Sequence, residues 1–131
     1  MDSIFTQIIN GQIPAHRIYE DKKYIAFLDI HPITPGHTLV VPKDQIDKFT
    51  EMSARDFKDL MNLSHKLSVH IQETLKTTRV VLRIEGFDIP HLHVHLLPVN
   101  VQSDTYKKGR SKIEPDHESL KAMAIRLKLE D

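Results

Sequence analysis

Between residues 91 and 98 the sequence reads His91-Leu92-His93-Val94-His95-Leu96-Leu97-Pro98, and histidine alternates there with aliphatic residues. A strand sends successive side chains to opposite faces, whereas residues two apart on a helix do not face each other. As a strand, the segment therefore predicts a row of three imidazoles about 6.6 Å apart, with aliphatic side chains on the reverse. The aliphatic row is typical of a core, so the imidazole row needs its own explanation.

Three explanations are open for the imidazole row. The histidines are structural, with each ring hydrogen-bonded in the fold. Alternatively, two of them bind one zinc ion together with a third ligand from nearby, as His-x-His on a strand can do. Finally, one histidine is a nucleophile and its neighbours orient it and handle protons. Three aligned groups that titrate near pH ~6.5 favour a chemical role over a structural one.

The wider sequence resembles the histidine-triad (HIT) family, in particular its Hint-like nucleotide hydrolases. The family signature is His-φ-His-φ-His-φ-φ, with φ an apolar residue, and residues 91–97 match every position. Two more blocks agree, namely residues 26–30 with 35–43 and residues 4–15. The resemblance covers about residues 3–98 and implies one HIT-like domain over residues 1–131, in which residues 99–131 form a divergent extension.

The resemblance implies roles for four histidines. His93 attacks the α-phosphorus of a nucleotide conjugate and forms a nucleotidyl-histidine intermediate, from which water releases a nucleoside monophosphate. His95 contacts the phosphoryl oxygens and, when protonated, helps the leaving group to depart. His91 and His37 complete the hydrogen-bonded imidazole cluster. The expected substrates are nucleoside phosphoramidates, adenylated amines or dinucleoside polyphosphates, and no metal ion or cofactor is required.

The resemblance also implies a substrate-binding site. Phe27 lies against the base, Ile30 lies beside it, and the Asp29 carboxylate accepts hydrogen bonds from the ribose hydroxyls. The family pattern before the triad is often Gly-Gln-Ser or Gly-Gln-Thr, but this chain has Gly86-Phe87-Asp88. The amide and hydroxyl that hold the phosphate or leaving group in relatives are therefore replaced, and Asp88 is expected to face the substrate.

The amino-acid composition limits the kinds of ligand and site that can be expected. The 131 residues include 18 basic and 18 acidic side chains, so net charge gives no reason to expect nucleic-acid or membrane binding. Without cysteine, thiolate metal sites are excluded. Relatives with a structural zinc carry two cysteines where this chain has Ser3 and Thr6, so no metal is predicted. A cytoplasmic homodimer that binds a purine nucleotide or its conjugate is expected.

Hydrophobic periodicity predicts an α+β fold with about five mostly antiparallel strands. One long helix is expected across the sheet over residues 53–75, a short helix at 3–10 and a final helix at 115–129. The other predicted strands are residues 16–20, 23–29, 37–41 and 79–85. Lys107-Lys108-Gly109-Arg110 is a basic loop that either lies near a phosphate or is simply solvated.

Two further functions stay open from sequence alone. One is a zinc-dependent hydrolase built on His91, His93 and a third ligand, which a chelator would inactivate. The other is a non-catalytic module that binds a purine nucleotide without turnover.

Overall fold

The computed structural model describes residues 1–106 and 114–130, and the predicted α+β fold is confirmed within them. The basic loop at residues 107–110 lies outside the described residues. The helices and strands, in chain order, are α1 (Ile4–Ile9), β1 (Arg17–Glu20), β2 (Tyr24–Leu28), β3 (Thr38–Pro42), α2 (Ala54–Leu75), β4 (Arg79–Ile84), β5 (Val94–Val99) and α3 (His117–Leu127).

The five strands form one antiparallel sheet in the order β1-β2-β3-β5-β4. The third strand is central, so it brings together segments that are distant in sequence. Leu39 pairs with His95 on one side and with Phe27 on the other. The end of β2, the start of β3 and the start of β5 therefore meet at one place in the sheet.

The two faces of the sheet bury different helices. On one face, the leucines and isoleucine of α2 pack with Leu92, Val94 and Leu96. On the other face, Phe5 and Ile8 of α1 pack with aliphatic and aromatic side chains of β2 and β3. The aliphatic residues between the histidines therefore line the larger core, which confirms that they lie on the face opposite to the imidazoles.

The predicted triad strand begins later than expected. β5 starts at Val94, so His91 and His93 lie in the irregular segment that leads into it. The strand pairing between β3 and β5 ends at Val40 and Val94, and the carbonyl of Pro42 instead accepts a hydrogen bond from the His91 ring at 2.8 Å. The His91 side chain thus donates to a carbonyl group that a backbone N–H would bond if the strand pairing were longer.

The helix ends follow ordinary capping chemistry. The Ser3 and Ser53 hydroxyls accept from the backbone N–H groups of Thr6 and Asp56, at 3.0 and 3.1 Å, and cap α1 and α2. The final helix packs on the larger core through Leu120, Ala124 and Leu127. It therefore covers part of the sheet beside α2. Among the described residues, no helix combines the length and apolar character needed to cross a lipid bilayer.

Candidate active site

Three imidazoles come together at the meeting point of β3 and β5. The ring centroids of His93 and His95 are 4.9 Å apart, and Nε2 of His37 lies 2.9 Å from Nδ1 of His95. His37 precedes β3, which runs beside the start of β5, so the sheet register explains why these rings meet. The structure thus places three of the four predicted histidines in one cluster.

Hydrogen bonds fix where the protons lie in this cluster. The backbone N–H of Ile33 donates to Nδ1 of His37 at 3.1 Å. A neutral imidazole carries one N–H, so Nε2 of His37 holds the proton and donates it to Nδ1 of His95. Nε2 of His95 then carries the second N–H, which is available to donate to a ligand.

The ring of His93 is held in the complementary tautomer. Its Nδ1 lies 2.7 Å from the carbonyl oxygen of His91, which can only accept, so Nδ1–H donates and Nε2 keeps its lone pair. Phe5 packs against this ring edge-to-face with a centroid distance of 4.9 Å. His93 is only 2% exposed. The ring is therefore held in one orientation, with the lone pair on Nε2 and little exposed surface.

The ring of His91 makes its hydrogen bonds outside the cluster, while its backbone carbonyl bonds to His93 within it. Its Nε2 donates to the carbonyl of Pro42 at 2.8 Å, and its Nδ1 accepts from the Ser3 hydroxyl at 2.6 Å. With both nitrogens occupied by protein groups, this ring cannot share a metal ion with His93. His91 instead contributes its backbone carbonyl. These contacts argue against the zinc hydrolase built on His91 and His93.

Burial makes two rings of the cluster poor bases. Burial, together with the positive charges of His95, Arg83 and His93, lowers the pKa of His37 to about 3. Burial, with the charges of His93 and Arg83, lowers the pKa of His95 to about 4, and the Asp88 carboxylate opposes that shift. Both rings are therefore neutral near pH 7, as the hydrogen-bond chain requires.

Asp29 lies beside this cluster, at the end of β2. Its Oδ1 accepts from the backbone N–H of His31 at 2.8 Å, while its Oδ2 is 3.7 Å from Nε2 of His37. Burial raises the pKa of this carboxyl group. Ligand atoms of Asp29, His37 and His95 lie within 4.8 Å of one another, so this is where the described residues could hold a metal ion. Binding there would break the His37–His95 hydrogen bond.

The predicted substrate-binding residues differ in exposure. Ile30 is 39% exposed, but Phe27 is 3% exposed and packs edge-to-face against Phe5. Phe27 therefore packs in the core under α1 in this structure, and its contact with a base stays a prediction.

The segment before the triad passes close to the ring of His93. A Cβ built on Gly86 would be 3.7 Å from Cε1 of His93, so the backbone passes close to this ring. Phe87 is fully exposed and Asp88 is exposed. Phe87 and Asp88, which replace the family's usual amide and hydroxyl, thus stand on solvent-facing backbone beside the site.

Sequence reasoning missed several residues that shape the site. Arg83 of β4 is paired with His95 in register and donates to the carbonyl of Thr105 at 2.7 Å. Leu82 and Ile84 flank it in β4, but its place beside His95 depends on the register between β4 and β5. Phe5 and Gln45 gave no signal either, because their contacts join segments far apart in the sequence.

Comparison with known proteins agrees with this geometry. A family model for the HIT domain matches residues 10–101. An uncharacterised HIT-like protein of Borreliella burgdorferi is 31% identical, over 98% of this chain and 97% of its own length. The adenosine 5'-monophosphoramidase hnt1 of Schizosaccharomyces pombe is 34% identical, over 75% of this chain and 74% of its own.

Solved structures extend the agreement to the backbone. A Hit-like protein from Bartonella henselae superposes with a TM-score of 0.82 at 26% identity, over 96% of this chain and 94% of its own. A zinc-bound histidine triad family protein from Mycobacterium smegmatis gives 0.78 at 28% identity, over 97% and 94%. With the triad, the sheet and the family model in agreement, this chain belongs to the HIT family.

Proposed function

We propose that this protein hydrolyses nucleotide conjugates at the α-phosphorus through a covalent intermediate on His93. The observation that carries the proposal is the 2.7 Å contact between Nδ1 of His93 and the carbonyl of His91, which leaves the lone pair of Nε2 free for attack. A similar protein, hnt1 of Schizosaccharomyces pombe, is named an adenosine 5'-monophosphoramidase. Phosphoramidates are accordingly the first substrate class to test.

In the first step, Nε2 of His93 forms a bond to phosphorus and the bond from phosphorus to the leaving group breaks. The leaving group takes the bonding electrons. The modified ring is then positively charged, and its Nδ1–H still donates to the carbonyl of His91. In the second step, water attacks phosphorus and the electron pair returns to Nε2. Overall, water supplies the oxygen of the monophosphate and the proton of the released amine.

His95 has the role of a donor to the phosphoryl group. In the free protein its ring is neutral near pH 7, since burial lowers its pKa to about 4. Its Nε2–H can stabilise the negative charge that develops on the phosphoryl oxygens. A bound anionic phosphate also favours the protonated form of a neighbouring imidazole. That form needs a proton on Nδ1 of His95, so the His37 ring would have to turn its Nε2–H away before His95 delivers a proton to the leaving group. No metal ion or cofactor is required.

The charge beside the site favours amine over polyphosphate leaving groups. The Asp88 carboxylate is close enough to influence both His95 and Asp29 electrostatically. A negative charge there repels an anionic leaving group and attracts a cationic one. Exposed Ile30 and Phe87 offer apolar surface for a base or another ring. We therefore rank phosphoramidates and adenylated amines above dinucleoside polyphosphates.

Access to Nε2 of His93 is restricted in this structure. His93 is 2% exposed and the backbone at Gly86 passes close to Cε1 of its ring, so we propose that the 86–88 segment moves aside when the substrate binds.

We also propose that the protein is a homodimer, as expected from the resemblance. The edge strand β4 exposes Leu82, an apolar side chain that a partner could cover. Light scattering at several concentrations tests the dimer.

The deciding experiment is rapid quench with adenosine 5'-phosphoramidate, followed by intact-protein mass measurement. We expect a mass gain of one nucleotidyl group in the wild type and none in His93→Ala, with hydrolysis reduced by several orders of magnitude. His65→Ala removes an exposed histidine of α2 and is the matched control, with wild-type behaviour expected.

Three results would overturn the proposal. Near-normal hydrolysis by His93→Ala would remove the nucleophile. Tight binding of AMP without turnover, and without a trapped nucleotidyl-protein, would instead favour a nucleotide-binding module. Loss of wild-type hydrolysis with a chelator, and its recovery with zinc, would restore the metal-dependent alternative.

A further inference from the structure

We propose that Ser3, Thr6, Gln45 and His91 form a metal-free clamp that fastens α1 to the triad segment and orients the nucleophile. This inference rests on the proposed function for its kinetic consequences, but its structural part can be tested without turnover. The clamp residues come from three separate parts of the chain. Ser3 and His91, which join at its centre, are 7% and 0% exposed, respectively.

The centre of the clamp is the hydrogen bond between Ser3 and His91. The Pro42 carbonyl can only accept, so Nε2 of His91 carries the proton and Nδ1 is an acceptor. The Ser3 hydroxyl therefore donates to Nδ1 at 2.6 Å, while it accepts from the N–H of Thr6 at 3.0 Å. One hydroxyl thus caps α1 and holds the His91 ring at the same time.

Gln45 closes the clamp from the loop after β3. Its Oε1 accepts from the backbone N–H of Ser3 at 2.9 Å and from the Thr6 hydroxyl at 2.8 Å. Its Nε2 donates to the carbonyl of Met1 at 3.1 Å. Three hydrogen bonds from one side chain therefore tie the first turn of α1 to this loop.

The clamp has the location of a structural zinc site but not its chemistry. Zinc-binding relatives carry cysteines in the positions of Ser3 and Thr6, whereas this chain offers neutral hydroxyls, an amide and one imidazole. Ligand atoms around a tetrahedral zinc ion, with bonds of about 2.1 Å, are about 3.4 Å apart. The Ser3 and His91 atoms are 2.6 Å apart, which is a hydrogen bond and excludes an ion between them. Zinc does not fit here.

Two contacts carry the clamp's effect to the nucleophile. The carbonyl of His91 accepts the Nδ1–H of His93 at 2.7 Å, so the position of His91 sets the tautomer and direction of the nucleophile. Phe5, between Ser3 and Thr6 in α1, packs edge-to-face on the rings of both His91 and His93. Ser3 and Gln45 are therefore positioning residues that act through His91 and Phe5.

Four variants separate positioning from simple capping. Ser3→Ala removes both the cap and the donor to His91, while Ser3→Thr retains a hydroxyl. Ser3→Asp keeps a capping acceptor but has no proton for Nδ1 of His91 at neutral pH. Ser53→Ala is the matched control, because it removes an equivalent serine cap from α2 and has no contact with the triad.

We expect Ser3→Ala and Ser3→Asp to lower kcat about 10- to 100-fold with KM changed less than about threefold, since a small misplacement of a reacting group costs this much. Ser3→Thr should recover most of kcat. Ser53→Ala should lower the melting temperature but leave kcat unchanged. Wild-type kcat in Ser3→Ala, or an equal loss of kcat in Ser53→Ala, would overturn the clamp.

Two readouts do not need activity, so they distinguish failure of the clamp from failure of the proposed function. Nitrogen-15 spectra should show His91 as the Nε2–H tautomer in the wild type, and Ser3→Asp should favour a protonated ring. A different wild-type tautomer would overturn the clamp even in an active enzyme.

Zinc binding is measured in the wild type and in Ser3→Ala. If the wild type binds one equivalent of zinc and Ser3→Ala does not, the clamp is overturned. If both proteins bind zinc equally, the zinc lies elsewhere, and the result supports a metal-free clamp.

Discussion

Nε2 of His37 lies 2.9 Å from Nδ1 of His95, and the backbone N–H of Ile33 donates to the other nitrogen of His37. This pair determines that the outer nitrogen of His95 carries a proton. His37 therefore contributes to the proposed reaction by fixing the tautomer of a neighbouring ring, and it needs no direct contact with the substrate.

Two substitutions of His37 should differ in activity if this residue fixes the tautomer of His95. His37→Ala removes the donor to His95, so we expect kcat to fall about 10- to 100-fold. His37→Gln places an amide N–H close to the position of Nε2, so we expect most of kcat to return. Steady-state kinetics with adenosine 5'-phosphoramidate compares them, and equal losses in both variants would contradict the argument.

The depressed pKa values predict how stability depends on pH. In the unfolded chain the rings of His37 and His95 both titrate near pH ~6.5. In the folded protein, burial lowers the pKa of His37 to about 3 and that of His95 to about 4. Between about pH 4 and 6.5 the unfolded chain therefore binds more protons than the folded one. The free energy of unfolding should be highest above this window and fall as pH decreases through it.

Urea unfolding between pH 4.5 and 7.5 measures this dependence. His37→Gln removes one of the two rings whose pKa falls this far, so its stability should depend less steeply on pH than that of the wild type. His65→Gln, which replaces an exposed histidine, is the control and should retain the wild-type slope. A slope that His37→Gln leaves unchanged would show that other groups dominate the linkage.

Asp88 is expected to select against negatively charged leaving groups. Asp88→Asn should raise kcat/KM for a dinucleoside polyphosphate by about two- to fivefold relative to adenosine 5'-phosphoramidate, whose leaving group carries no negative charge, a size typical of one solvent-exposed charge. The ratio should become smaller at high salt. Glu85→Gln removes a charge from the same exposed region and is the control. An identical change in both variants would assign the effect to net charge alone.

Gly36 lies between the loop after β2 and His37, and other side chains pack tightly around it. It has φ +89°, and a Cβ there would lie 2.6 Å from Cδ1 of Leu75 and 3.2 Å from Cγ of Pro98. Gly11 has a similar φ of +80° but nothing within 4 Å of such a Cβ. Both alanine variants are destabilised by the left-handed backbone conformation, and only Gly36→Ala adds a steric clash.

We therefore expect Gly36→Ala to lose about 1–3 kcal/mol more stability than Gly11→Ala, which is the usual cost of overpacking. Urea unfolding gives both values. Equal losses would mean that Leu75 and Pro98 relax freely around the added methyl group.

The sequence was sufficient to predict the elements that depend on local patterns. Alternation placed Leu92 and Val94 opposite the histidines, and helical spacing placed Leu60, Leu67 and Ile71 of α2 against the sheet. The five antiparallel strands were predicted within a few residues of their ends. These features follow from the periodicity of side chains, which a single sequence contains.

The details that were missed depend on contacts between distant segments. His91 leaves the imidazole cluster because Ser3, 88 residues away, and the Pro42 carbonyl occupy its nitrogens. Phe27 is buried because α1 covers it, and nothing near residue 27 shows this. A side chain's chemistry can be read from its type, whereas its partners are set by the folded chain.

The first residues of the chain are tied directly to the candidate site, since the carbonyl of Met1 accepts from Gln45 and Phe5 packs on the ring of His93. A purification tag fused ahead of Met1 would therefore begin beside the contact between Gln45 and Met1. Preparations for kinetic or spectroscopic work should therefore carry any affinity handle after residue 131, or have it removed without leaving extra residues at the front.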